Sequence, residues 1–329
     1  MIPSLAGALA IASAATLPAV THPPRTPALE RVAEVALPGP AVRFDYQSLD
    51  SSANRLYLSH MDADELVVFD IARRRVAGRV SDLPRITGVC AVPELGKVYA
   101  SVTGARHVAV IDARTLRVLA RLGRIGFPDG IAYAPGTGKV YVSDESGGGE
   151  LVIDGRSDRV LGRVSLGGEA GNTLYHPRSG RVLVAVQTRN EVVEIDPGSD
   201  RVTARHRLEG AAHPHGMSLD PAAELLFVAN EDDATLLVVD LKRWKVVQRH
   251  GVGGNPDVLA FDPVLRRLYV ASESGTVSVF SERDATLHHL GDISMRHAHT
   301  VAVDPRTHLV YFPLQSVGGR PVLRIMRPH

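Results

Sequence analysis

The stretch His213-Pro214-His215-Gly216-Met217-Ser218-Leu219-Asp220-Pro221 has close copies elsewhere in the chain. They are Phe127-Pro128-Asp129-Gly130-Ile131-Ala132-Tyr133-Ala134-Pro135, Asn255-Pro256-Asp257-Val258-Leu259-Ala260-Phe261-Asp262-Pro263 and His297-Ala298-His299-Thr300-Val301-Ala302-Val303-Asp304-Pro305. Each leads into a turn, a strand such as Leu225-Leu226-Phe227-Val228-Ala229, a second strand ending in Asp, and a third. Taking the residue six before the turn proline or its equivalent, the register falls on Asp45, Thr87, Asp129, Gly171, His215, Asp257 and His299. The steps are 42, 42, 42, 44, 42 and 42 residues. Repeats of about 40–45 residues with four strands each are the signature of propeller blades. The expected fold is all-β: a seven-bladed β-propeller with four antiparallel strands per blade.

The third unit shows the local logic. Ile131-Ala132-Tyr133 belongs to strand A, Lys139–Ser143 to strand B, Glu150–Asp154 to strand C and Arg159–Val164 to strand D. Gly, Pro, Ser and Asp clusters separate them, and β-branched and aromatic residues fill them. Three positions before the turn proline stand Ser48, Cys90, Ala132, Leu174, Ser218, Ala260 and Ala302. Six of these seven are small, as crowding of the inner strands about an axis requires, so Cys90 reads as a packing residue.

The last unit offers three strands and then the chain ends, while Arg31–Leu37, upstream of the first unit, is a strand without a unit. Pairing the two completes the seventh blade and hides two sheet edges. The expected organisation is an export signal at 1–20, a Pro-rich linker at 21–28 and one propeller over 29–327. The signal rests on the apolar run Leu5–Ala15, too short for a membrane span and lacking a basic start. It places the protein in the periplasm or outside the cell, with no membrane span in the mature chain.

Composition removes several function classes. Lys+Arg number 37 and Asp+Glu 36, a formal net charge of +1, which leaves no electrostatic footprint for nucleic acid or an anionic membrane. Aromatics at 5% argue against stacking platforms for single strands. One cysteine excludes an intramolecular disulfide and a CxxC redox pair. A monomer is expected.

Leu268-Tyr269-Val270-Ala271-Ser272, Leu226-Phe227-Val228-Ala229-Asn230 and Val140-Tyr141-Val142-Ser143-Asp144 resemble the YVTN repeat. Over 29–327 the chain is similar to the YncE-like, YVTN-type seven-bladed propellers, which are mostly exported bacterial proteins. The resemblance implies a fold and an exported location but no single reaction. Architectural relatives include lactonases and metal-dependent gluconolactonase-like hydrolases, whose activity does not transfer with the fold.

One strand position repeated around a propeller becomes a ring at the mouth of the channel, where a small ligand would sit. That ring carries Asp45, Asp129, Asp257, His215 and His299; two residues earlier stand Arg43, Arg85, Phe127, Glu169, His213, Asn255 and His297. Residues i and i+2 of a strand share a face, so the pairs His213/His215 and His297/His299 are expected to converge. Four imidazoles with nearby carboxylates suit a divalent metal such as zinc, copper, iron or nickel. Asp45, Asp129, Glu169, Asn255 and Asp257 are the candidate ligand-binding residues. Candidates for a catalytic base are His60, Asp129 and Asp257; His60 otherwise reads as a solvated turn residue. Glu145, Gln187, Glu231, Glu273 and Gln315 recur at the end of strand B and either line the same face of the funnel or, as is chiefly expected, solvate the B–C turns. Two functions follow: an exported propeller holding a small ligand and a metal, or a metal-dependent lactonase-like hydrolase.

Overall fold

The structure, a computed structural model, describes Met1 and residues 28–329. The expected export segment and linker thus lie, apart from Met1 and Ala28, outside the described residues. Seven four-stranded antiparallel sheets are formed, with strands A to D of six blades following in chain order from the axis outward. In blade 5, for example, they are Pro214–Asp220, Leu225–Asn230, Thr235–Asp240 and Lys245–Gly251. The seventh blade is composite. Its inner strands are Ala302–Asp304, Leu309–Val317 and Arg320–Pro328, and the N-terminal Leu29–Ala36 pairs antiparallel along the last of them. The ring is closed by the two ends of the chain.

Burial explains the pattern of each strand. Strand B of blade 5 is buried at all six positions, because neighbouring blades cover both faces. Strand D of the same blade alternates exposed and half-buried residues, because one face meets water. The A–B turns carry a left-handed residue at Asn54, Gly96, Gly138, Gly180, Glu224, Arg266 and His308, the same step repeated seven times. Two of these also staple blades: His308 Nδ1 lies 2.8 Å from Asp262 Oδ2, and the Arg266 guanidinium bonds Asp220. Between blades 2 and 3, Lys97 Nζ reaches Asp158 Oδ1 at 2.8 Å, and Lys139 repeats the contact with Asp200 one blade on.

Strand A is the element that positions the site. Its pairing with strand B slips by one residue at the ring position, between Pro128 and Ile131, Pro214 and Met217, and Pro256 and Val258. In blade 1 the amide of Asp45 donates to Ser59 O while the Ser59 amide donates to Tyr46 O, so two residues oppose one. These are β-bulges, which re-aim side chains that a regular pleat would send elsewhere. The close packing they need is visible at Gly216, where an added Cβ would come within 1.8 Å of Asp257 O.

Candidate functional site

The ring residues converge on a cavity of about 220 Å³ at the axis, lined by Asp45, Asp129, His215 and Asp257 among others. Asp45, Asp129, His215, Asp257 and His299 are all buried. They form two groups that meet at Asp257.

The first group is Asp45, Asp257 and His299, from blades 1, 6 and 7, with one ligand atom from each lying within 4.8 Å of the others. His299 Nε2 stands 3.5 Å from Asp45 Oδ1 and 3.9 Å from Asp257 Oδ2. It is buried without a hydrogen-bond partner. Buried nitrogens are normally satisfied, and an unmet one facing two carboxylates fits an ion or a tightly held water. Asp257 Oδ1 is also unpartnered, but it is the oxygen turned toward His215. Two carboxylates and an imidazole are donors that a divalent metal accepts.

The second group is Tyr46, Asp129 and His215. Tyr46 Oη lies 3.2 Å from both Asp129 Oδ2 and His215 Nε2, and His215 Nε2 is 3.5 Å from Asp257 Oδ1. Burial, and then the like charge of Asp45, hold the Asp129 carboxyl well above the usual carboxylate range. Burial opposes the charged imidazole of His215, but Asp257, Glu231 and Asp129 together push it up to about 10. Burial likewise opposes the Asp257 carboxylate, and His215 outweighs it, so Asp257 stays below its ordinary value. The group therefore sets an imidazole that favours its charged form beside one carboxyl that favours the charged form, Asp257, and one that favours the neutral form, Asp129.

The histidine pairs do not converge as expected. His213 and His297 have φ of 57° and 69°, both before the strand begins, so the i, i+2 rule does not apply to them. His213 turns to the rim, with Nδ1 at 3.0 Å from Glu231 and Nε2 at 3.8 Å from Glu169. His297 lines a neighbouring pocket of about 140 Å³ with Arg43, Glu273 and His299. Asn255, also left-handed, uses its carbonyl to accept the Glu273 amide at 2.9 Å and does not line the central cavity. His60 is neither a rim residue nor solvated. It is fully buried, stacked on Phe44 at 4.0 Å, with Nδ1 at 3.4 Å from Glu65 under Gly39. Burial holds its pKa below the ordinary value.

Two contributions were not expected from the chain. Glu145, Glu231 and Glu273 do more than solvate their turns: all three line the cavity, and Glu273 pairs with Arg43 at 2.8 Å. Tyr46 reaches across the axis. Its equivalents are Gly88, Gly130, Asn172, Gly216, Val258 and Thr300, so an aromatic at that place was the available signal.

The fold and the funnel together define a seven-bladed β-propeller with a polar, carboxylate-rich centre. No family model matches the chain, and no curated protein matches it. Solved structures do: a chain of Kuenenia stuttgartiensis hydrazine synthase is similar at a TM-score of 0.75 and 15% identity, over 88% of this chain and 96% of that one. At that identity the likeness is one of fold.

Proposed function

We propose that this chain is an exported YVTN-type propeller that binds a divalent metal, together with a small ligand, in its central funnel. Asp45, Asp257 and His299 hold the metal, and the adjoining cavity holds the ligand. The carrying observation is the unmet hydrogen-bonding capacity of His299 Nε2 within a buried three-donor cluster. The apolar N-terminal run supports a periplasmic or secreted location, and the even charge supports the absence of a nucleic-acid partner. The test is metal content of protein purified without a histidine tag, before and after chelation. A wild-type chain that takes up no divalent ion after dialysis against each of zinc, copper, iron and nickel would sink the proposal.

A second reading, hydrolysis of a lactone or similar ester, is favoured by Tyr46, Asp129 and His215 standing directly beside the trio. A divalent ion there would supply Lewis acidity. Asp129 and His215 would hold the transferable protons, with Tyr46 Oη donating to Asp129 Oδ2 and lying 3.2 Å from His215 Nε2. Turnover of a lactone panel by metal-loaded protein, lost in Asp129→Asn, separates this reading from simple binding.

A further inference from the structure

The wall of the cavity away from the metal trio has a different chemistry. The trio comes from blades 1, 6 and 7, whereas Phe127, Asp129 and Glu145 come from blade 3 and Glu231 from blade 5. We propose that this wall is a subsite for an organic ammonium group, such as the protonated amine of an alkylamine. The inference rests on reading the funnel as a small-ligand site, and it goes on to name the charge and class of the ligand.

Two observations carry it. Phe127 is the one phenyl ring among the seven equivalents Arg43, Arg85, Phe127, Glu169, His213, Asn255 and His297, and it lines the cavity. A cation over an aromatic face, with carboxylates at its edge, is the standard chemistry for holding ammonium groups. Glu145 lines the same wall, accepts only a long 3.4 Å hydrogen bond from Gln187, and has no Lys or Arg partner among the described residues. Its carboxylate is therefore available to a cationic ligand.

A bare metal ion fits this wall poorly. Among the described residues the one cluster of three ligand atoms within 4.8 Å of each other is Asp45, Asp257 and His299. An ammonium spreads its hydrogens over more widely spaced acceptors, and its alkyl group would lie along Phe127 and Met61, which also lines the cavity.

The experiment is calorimetric titration of n-propylammonium into chelator-treated protein, with propionate and 1-propanol as controls. Saturable binding of the amine alone is expected, weakened about tenfold in Phe127→Leu and in Glu145→Gln. Circular dichroism and the thermal unfolding of both variants should match wild type, which shows that they fold. Equal binding of propionate or 1-propanol, no saturable amine binding by the folded wild type, or full amine affinity in both variants would overturn the assignment. Because the titration is metal-free, a failed metal experiment and a failed amine experiment are separate results.

Discussion

His299 Nε2 lies 3.5 Å from Asp45 Oδ1, so the last blade touches the first at the centre of the molecule. If that contact belongs to a metal site, tag-free protein should carry about one ion per chain. Asp45→Asn and His299→Ala should each abolish tight binding in an elemental analysis after desalting. His213→Ala and His297→Ala should retain it, because both side chains sit outside the trio. Loss in the second pair with retention in the first would move the site to the rim.

Metal addition should also raise the unfolding temperature. A ligand that binds only the folded state, present at about 100 times its Kd, stabilises by about 2.7 kcal/mol. Differential scanning calorimetry with and without chelator reads this directly, and Asp257→Asn should erase the difference.

Gly216→Ala should disrupt both the fold and the site. Its Cβ would fall 1.8 Å from Asp257 O, a backbone atom that cannot swing away. A loss of about 3 kcal/mol or more is expected in urea unfolding, with metal binding weakened because Asp257 must shift. Gly136→Ala is the control: nothing lies within 4 Å of the Cβ it would add, and stability should change by less than about 0.5 kcal/mol.

Tyr46→Phe removes the hydroxyl shared by Asp129 and His215 while keeping the ring. Two buried groups lose a partner, so a cost of about 1–3 kcal/mol is expected in chemical denaturation. Unchanged stability would mean that a water replaces the hydroxyl without loss.

Glu150 offers a test by pH away from the funnel. It is fully buried between blades 3 and 4, accepts a 2.7 Å bond from Thr173, and burial pushes its pKa from 4.5 up to about 8. A folded pKa above the unfolded one means a contribution that is intact below about pH 4.5 and lost as pH rises through 8. The loss at pH 9 is at most about 3–5 kcal/mol. Glu150→Gln should flatten the fall of Tm between pH 6 and 9; parallel curves for the two proteins would refute this.

The fold was legible because blade geometry is set by a short repeat. The step from Asp45 to Thr87 to Asp129 marks strand A each time, and Arg31–Leu37 had no partner except the last blade. The centre was legible in part. Asp45, Asp257 and His299 occupy the repeat position that turns inward, and the spacing shows it. What spacing does not show is a bulge or a left-handed residue. His213 and His297 leave the pleat through positive φ, so the first imidazole of each pair stands half-buried while the second is buried at the ring position. His60 stands where other blades put Asp144, Asn230 or Ser272, and all of these are buried too, so a polar residue at the end of strand B does not mark a solvated turn. Tyr46 was hidden because its place is otherwise held by small or β-branched residues and asparagine.

The closing blade has a consequence for biosynthesis. Two of the three trio residues come from the sixth and seventh blades and the third from the first, so a nascent protein can have no such centre until His299 has been made. Occupancy would then report that synthesis has reached the seventh blade. Premature termination ahead of His299 would forfeit the seam of the ring and the centre in a single event.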